Sequence, residues 1–276
     1  MMNLVEQVKT TTQLRWNKVH KFKSKIKMHI EMGPYVIKTA ESFEELLESF
    51  KLRHEVFIQE FCNNDHVGLD FDRYDYFFDH LIIVHKESNK IIGTYRLNCS
   101  SFSTESYTEN EFSLKQIINL PGPRLELGRA CIKKDFRKGS VITLLWRGIY
   151  EYMKLSESQV LFGCSSVKIN NPRDAALTYR YIVESDYLDK TTISHPKKDY
   201  LMKDFDTWYL YYSKGLSEDQ INEAQNLIPS LLKSYLKLGA KVCSEPAFDK
   251  DFDCIDFLTI LKKDCLSKSL EEKFNK

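Results

Sequence analysis

The chain has 276 residues, enough for one large domain or two small ones with a real core. Hydrophobic residues make up 42% and aromatics 13%, which excludes a disordered chain, and a net charge of +1 excludes a global basic field for nucleic acid. The seven cysteines (Cys62, Cys99, Cys131, Cys164, Cys243, Cys254 and Cys265) are odd in number and contain no C-x-x-C pair. They predict a reducing, cytoplasmic setting and small buried packing residues, with no zinc or other metal site. No apolar run is long enough to span a bilayer, and residues 1–8 are too short and polar for a signal-peptide core.

In chain order, residues 1–33 read as a basic arm in which Lys9, Arg15, Lys18, Lys21, Lys23, Lys25 and Lys27 alternate with Trp16, Phe22, Ile26, Met28 and Ile30. Two readings apply: a solvated leader packed loosely on the domain, or a contact for an acidic partner or an anionic membrane surface. Gly33-Pro34 punctuates, and residues 35–39 read as a strand. Ser42, with Glu45 three residues later, starts a helix to about residue 60. Residues 63–76 are acidic and irregular. Residues 80–85 and 91–97 form a hairpin turning at Ser88-Asn89. Polar loop and a short helix over 112–118 lead to the strand 125–132. Ser140 is placed to cap an amphipathic helix with Val141, Leu144, Leu145, Gly148, Ile149 and Tyr152 on its apolar face. Residues 160–167 are a strand, and Asn171-Pro172 opens a helix. One helix is predicted over 219–238, ending at Gly239, and two paired strands over 241–248 and 254–261 close the fold. This order predicts an α/β layered architecture with a single mixed sheet flanked by helices. It holds no G-x-G-x-x-G, P-loop or G-x-S-x-G signal.

The most informative stretch is Arg124-Leu-Glu-Leu-Gly-Arg-Ala-Cys-Ile132, followed by the basic turn Lys133-Lys-Asp-Phe-Arg-Lys-Gly-Ser140. Glu126 and Arg129 place charge in an otherwise apolar strand, and buried charge is costly unless paired or used. A strand carrying such residues beside an anion-receptive helix start suits acyl transfer. A bulge at Gly128 would free backbone N–H groups there, with Arg129 structural and Glu126 lining the site. Arg137, Lys138, Gly139 and Ser140 are candidates for a phosphate, against the alternative of an ordinary basic turn and helix cap. Asp70, Asp72 and Asp75 suit a cationic amine, or equally serve as scaffold partners of Arg53 and Arg96. Cys131 with His80 is a weaker thiol candidate, since both lie in apolar strand contexts. Trp208-Tyr-Leu-Tyr-Tyr212 reads as core, or as the wall of an acyl site.

Several segments together resemble the ornithine-lipid N-acyltransferases, also called hemolysin-like acyltransferases: Asp72-Arg-Tyr-Asp75 with Asp79-His80-Leu81, Gly93-Thr-Tyr-Arg-Leu97, Leu125-Glu-Leu-Gly-Arg-Ala-Cys131, Leu144-Leu-Trp-Arg-Gly-Ile149, Phe162-Gly-Cys-Ser-Ser166, Ile228-Pro-Ser-Leu-Leu-Lys-Ser-Tyr-Leu-Lys-Leu-Gly-Ala240 and Glu245-Pro-Ala-Phe-Asp249. The resemblance covers roughly residues 35–262. It extends to the acyl-homoserine-lactone and N-acyl amino acid synthases of the GNAT superfamily. It implies a GNAT-like domain over 34–265, with the basic arm before it and a polar tail over 266–276. It implies catalytic roles for Glu126, Asp72, Asp75 and Arg129, substrate contacts from Arg53, Phe57, Asp70, Arg96 and Ser165, and donor phosphopantetheine contacts from Arg137, Lys138, Gly139 and Ser140. The expected reaction moves a long, in some cases 3-hydroxylated, acyl group from acyl carrier protein, or from acyl-CoA, to the amine of ornithine or glycine. No resident cofactor, metal or nucleic acid is expected, and peripheral contact with membrane lipid is. The rival readings are a homoserine-lactone signal synthase, an acetyl-CoA-dependent acetyltransferase and a non-catalytic acyl-carrier-binding module. Two departures stand out: Asp70 sits where glutamate is usual, and the turn 137–140 is shorter than the usual phosphate loop.

Overall fold

The computed structural model describes Val19, residues 21–137 and residues 141–266. The described chain divides into two compact units. The first takes residues up to Glu105 together with Leu127–Ser156, and the second takes Ser106–Glu126 and everything from Glu157 onward.

In the first unit, β1 (His29–Met32), β2 (Tyr35–Thr39), β3 (Asp79–His85) and β4 (Lys90–Cys99) pair antiparallel in sequence order. Gly33 takes a positive φ of 55° in the β1–β2 turn, a conformation glycine adopts without Cβ strain. The helix α1 (Phe43–His54) starts where predicted, with Ser42 accepting from the Glu45 N–H. The return bond goes from the Glu41 N–H, not Ser42, to the Glu45 carboxylate. The predicted helix then changes winding: Glu55–Phe61 is a π-helical turn. The helix α2 (Val141–Leu155) lies against β2 and β3 at Gly148, where a Cβ would meet Leu81 Cδ1 at 2.7 Å and Ile37 Cγ2 at 2.8 Å. Capping of α2 by Ser140 falls outside the described residues.

The described part of the basic arm packs within the first unit. Val19, Phe22 and Met28 are buried, and β1 is a full sheet member. The Asp79 carboxylate accepts from the N–H groups of Lys25 and Ile26 and from the Tyr152 hydroxyl, which ties the segment down. Apolar residues between the lysines supply core, so the charge pattern alone misleads. Residues 1–18 and the tail 267–276 lie outside the described residues.

The second unit centres on β6 (Val160–Val167). It pairs parallel with Arg124–Glu126, the start of β5 (Arg124–Ile132), and antiparallel with β9 (Cys254–Lys262). The remainder of β5 belongs to the first unit. β9 also pairs with β7 (Lys241–Val242) and β8 (Ala247–Asp249), two short strands where one was predicted because Pro246, which cannot donate to a ladder, lies between them. One sheet face, with Val167, Ile255 and Phe257, packs on the helices α3 (Pro172–Glu184), α4 (Phe205–Tyr211), α5 (Glu218–Leu227) and α6 (Ser230–Lys237). The other, with Phe162, Leu258 and Ile260, packs on Phe112, Leu114 and Ile117. The single helix expected over 219–238 is therefore two. Pro229 has no N–H and forces Ile228 out of the helical region, to ψ 122°. Gly239 ends α6 with φ 98°, as its sequence position predicted. Antiparallel strands beside a parallel pair, flanked by helices, make the predicted α/β architecture with mixed strand pairing.

A Gly148→Ala substitution should lower the unfolding free energy by roughly 1–3 kcal/mol, because the methyl must displace Leu81 and Ile37. Denaturant titration measures this, and an unchanged midpoint would mean that α2 yields without loss of packing.

Candidate active site

Six predicted residues meet in the first unit as one charge cluster, with Arg53, Asp75 and Arg96 buried and Asp70, Asp72 and Arg129 half-buried. Arg53, fully buried on α1, grips Asp75 with both terminal nitrogens, at 2.7 and 3.0 Å, while its Nε donates to Asp70 at 2.7 Å. Arg96 on β4 donates to Asp72 at 2.7 Å and to Asp75 at 3.1 Å. Arg129 reaches Asp70 at 3.2 Å and Asp72 at 3.3 Å. Three guanidinium groups thus face three carboxylates. The three-residue spacing of the aspartates has a local cause. Asp72 caps the 3-10 turn Arg73–Tyr76, and Asp75 accepts back from the Asp72 N–H at 2.7 Å. Burial pushes the Asp75 carboxyl up, but Arg53 and Arg96 outweigh it and hold the group well below the ordinary carboxylate range. Asp70 is lowered likewise, with burial overcome by Arg53 and Arg129. His80 lies between the rings of Phe22 and Phe50, and burial with the adjoining Arg53 and Arg96 brings it down to about 4 against the pull of Asp75. Phe57 stands 6.0 Å from the Arg129 guanidinium.

The irregular residue of β5 is Arg129, not Gly128: its φ is +52°. That conformation costs a non-glycine residue about 1–2 kcal/mol, and the two carboxylates that hold its guanidinium offset the strain. A Cβ on Gly128 would meet no atom within 4 Å, so the strand is open there. Beyond β5, Lys133 pairs with Glu55 and Arg137 grips Glu60 at 2.7 and 3.0 Å, so the π-helical turn supplies carboxylates to the basic turn. The phosphate candidates Lys138, Gly139 and Ser140 lie outside the described residues.

In the second unit the Glu126 side chain is buried, and its Oε1 accepts from both the N–H and the hydroxyl of Thr108, each at 2.7 Å. Glu126 pairs across to Phe162 on β6. Ser165 lies an odd number of residues from Phe162, so it projects from the opposite sheet face, where its hydroxyl meets Thr259 at 2.9 Å. On the Glu126 face lies a group that sequence reading passed over. Glu111, Asp249 and Asp256 are all buried, with carboxylate oxygens within 4.8 Å of one another. Burial, then Asp256 and Asp249, pushes the Glu111 carboxyl up to about 10.

Residues 52–147 match the family described as acetyltransferase (GNAT) domain. The L-ornithine N(alpha)-acyltransferase of Rhodobacter capsulatus is 25% identical over 88% of this chain and 95% of its own length. The enzyme of the same name from Brucella abortus is 27% identical over 83% of this chain and 85% of its own. The chain is an amide-forming acyltransferase with a GNAT-domain match at residues 52–147. The solved structure of a CoA-dependent acyl-homoserine lactone synthase, BjaI, with MTA overlays with a TM-score of 0.47 at 14% identity, covering 84% of this chain and 81% of that one.

For this acyltransferase, a thiol nucleophile at Cys131 has no footing. The side chain is buried, and burial pushes its thiol far above the ordinary range, while His80 is neutral at pH 7 with no capacity as a strong base. The aromatic run divides: Tyr212 is core and Trp208 and Tyr209 pack against it, but Leu210 and Tyr211 are exposed. Asp249 stood inside a motif that the sequence offered, whereas Glu111, just after the 3-10 turn Thr108–Asn110, and Asp256, on β9, had no local signal, because only tertiary packing brings them together.

Two outcomes follow for the acyltransferase. Asp75→Asn should cost roughly 3–5 kcal/mol in urea unfolding, since it leaves buried Arg53 and Arg96 short of charge; a loss below ~1 kcal/mol would mean that the cluster relaxes. The Glu111 carboxyl is raised in the folded state, so the unfolded chain binds fewer protons between 4.5 and about 10, and stability should fall as pH rises through that window. Glu111→Gln should flatten this decline in a series of thermal melts, and an unaltered slope would place its cause elsewhere.

Proposed function

We propose that the acyltransferase joins a long acyl group, 3-hydroxylated chains among them, to the α-amine of ornithine, taking it from an acyl carrier protein thioester. The observation that carries this reading is the coverage of L-ornithine N(alpha)-acyltransferases along 83–88% of the chain, through both compact units. The Glu126 arrangement supports it. A carboxylate that is buried and fixed by two Thr108 donors at one oxygen is pre-aimed, which favours proton transfer over a freely rotating group.

In the reaction the acceptor amine attacks the thioester carbonyl. A C–N bond forms, the C–S bond breaks, the amine's proton passes by way of Glu126 to solvent, and the departing thiolate takes up a proton. Open backbone at Gly128 and the left-handed Arg129 lie where strand regularity ends, which suits hydrogen bonding to the carbonyl oxygen. Asp72, Asp75, Arg53, Asp70 and Arg96 act in this reading through the rigid charge cluster that fixes Arg129, with Phe57 beside its guanidinium. Arg137, with Lys138, Gly139 and Ser140, takes the phosphopantetheine phosphate, for which the phosphate must displace Glu60 from Arg137.

Thiol release from matched acyl-carrier and acyl-CoA donors, with mass spectrometry of the amide, tests the reading. Glu126→Gln should reduce kcat by about 10²–10⁴ with the fold intact, and near-normal turnover would remove Glu126 from the chemistry. Arg137→Ala should chiefly raise the KM for the donor; an unchanged KM would reject the phosphate contact.

A further inference from the structure

We propose that Glu111, Asp249 and Asp256 form the seat of the acceptor's side-chain ammonium, the group that distinguishes a diamino acid from its monoamino analogue. The proposal rests on the reading that the acceptor is ornithine and adds the residues that select it.

Three carboxylates buried within 4.8 Å of one another carry more negative charge than a protein interior tolerates without a cation or a proton. Two of them are already fixed by local donors. Asp249 accepts from the N–H groups of Asp251 and Phe252, and Asp256 from the Ser166 hydroxyl at 2.6 Å. Glu111 differs: it is 2% exposed, its carboxyl meets Asp256 and the Cys164 thiol, and its Oε2 has no hydrogen-bond partner among the described residues. A buried acceptor left without a donor is a deficit that a ligand donor removes. An ammonium group supplies three N–H donors and one positive charge, which answers a cluster of oxygen acceptors.

Register places this seat on the sheet face that carries Glu126. Across β6 and β9, Glu126 pairs with Phe162, Cys164 with Leu258 and Ser166 with Asp256, and residues two apart share a face. On β8, Ala247 pairs with Asp256 and Asp249 lies two residues on, so Asp249 joins the same face. Glu126 and Asp256 thus sit on one face, separated along the strand by four residues, or about 13 Å at 3.3 Å per residue. Between them Cys164 touches both Glu111 and Thr108. Thr108, which holds Glu126, and Glu111 are three residues apart at the two ends of one 3-10 turn, where such positions eclipse. The remaining titratable groups that face the cluster are Tyr200, from the turn Lys198–Tyr200, and the Cys164 thiol. An acceptor with one nitrogen near Glu126 and a second on a short carbon chain would lay that second nitrogen toward Glu111.

In the free protein Glu111 keeps its proton at neutral pH, because burial and the two aspartates disfavour its anion. An arriving ammonium reverses that balance, so the carboxyl ionises and ornithine binding releases a proton. Norvaline, which has the same carbon chain without the terminal amine, makes no such demand.

The test is calorimetric titration of the full chain with ornithine and with norvaline in buffers of different ionisation enthalpy. Wild-type protein should bind ornithine at least tenfold more tightly and release a proton that norvaline does not. Glu111→Gln and Asp256→Asn should bring the two ligands to parity; the Glu111 variant is expected to fold at least as well as wild type, so a folding defect cannot mimic the result. Equal affinities in wild type, undiminished preference in both variants, or displacement of ornithine by magnesium or calcium ions would overturn the proposal. Binding is read without acyl transfer, so selective binding with no thiol release would reject the proposed reaction alone. Acylation of ornithine that the variants leave unchanged would reject this seat alone.

Discussion

The bidentate contact between Arg53 and Asp75 is the constraint around which the first unit is arranged. Neither side chain is exposed to solvent, so each demands the other, and the demand propagates. Asp75 needs a second cation and takes Arg96; Arg53 has a third donor and gives it to Asp70; Asp70 and Asp72 then hold Arg129. A helix, an irregular acidic loop, a β-strand and the broken end of β5 are locked to a common centre. Such a network contributes little net stability relative to a well-packed apolar core, but any single deletion strands a buried charge. Its value lies in position: the left-handed residue in β5 has its guanidinium held by two carboxylates, Asp70 and Asp72.

The second unit treats buried charge in the opposite way. Glu126 is stabilised by neutral donors of Thr108, and Glu111, Asp249 and Asp256 face one another. A cluster of this kind is satisfied by protons or by a cation, and both are exchangeable, whereas the guanidinium groups of the first unit are permanent. One unit therefore holds its buried carboxylates against fixed guanidinium groups, and the other holds them against neutral donors and one another. The raised Glu111 carboxyl destabilises the fold above its unfolded pKa, a stability deficit of the kind found where function is selected over packing.

Much of the secondary structure was legible in the sequence because it depends on short-range physics. The Ser42 cap, the Asn171-Pro172 helix start, the Gly239 stop and the strands at 35–39 and 160–167 follow from local donors, fixed φ angles and alternating apolar residues. The misreadings also have local causes, now visible. Pro229 splits a helix that apolar periodicity alone would run through, and the α1 winding loosens into a π turn that no residue type announces. The lysines before Gly33 suggest a loosely packed leader or a partner contact, while Phe22 and Met28 of that segment are buried.

By itself the sequence determined the α/β element order, the GNAT resemblance and the list of charged residues set into apolar strands, because these follow from spacing along one chain. Only the tertiary structure decided which charges are balanced and which are not. The sequence leaves Asp72 and Asp75 open as amine ligands or as scaffold partners of Arg53 and Arg96, and in space they are ion-paired; Glu111 and Asp256 lie 145 residues apart and share one buried cluster. The reason is that a carboxyl's proton affinity is set by what lies within a few ångströms of it, and those neighbours come from a helix, a loop, turns and strands far apart in the chain, which only tertiary packing brings together.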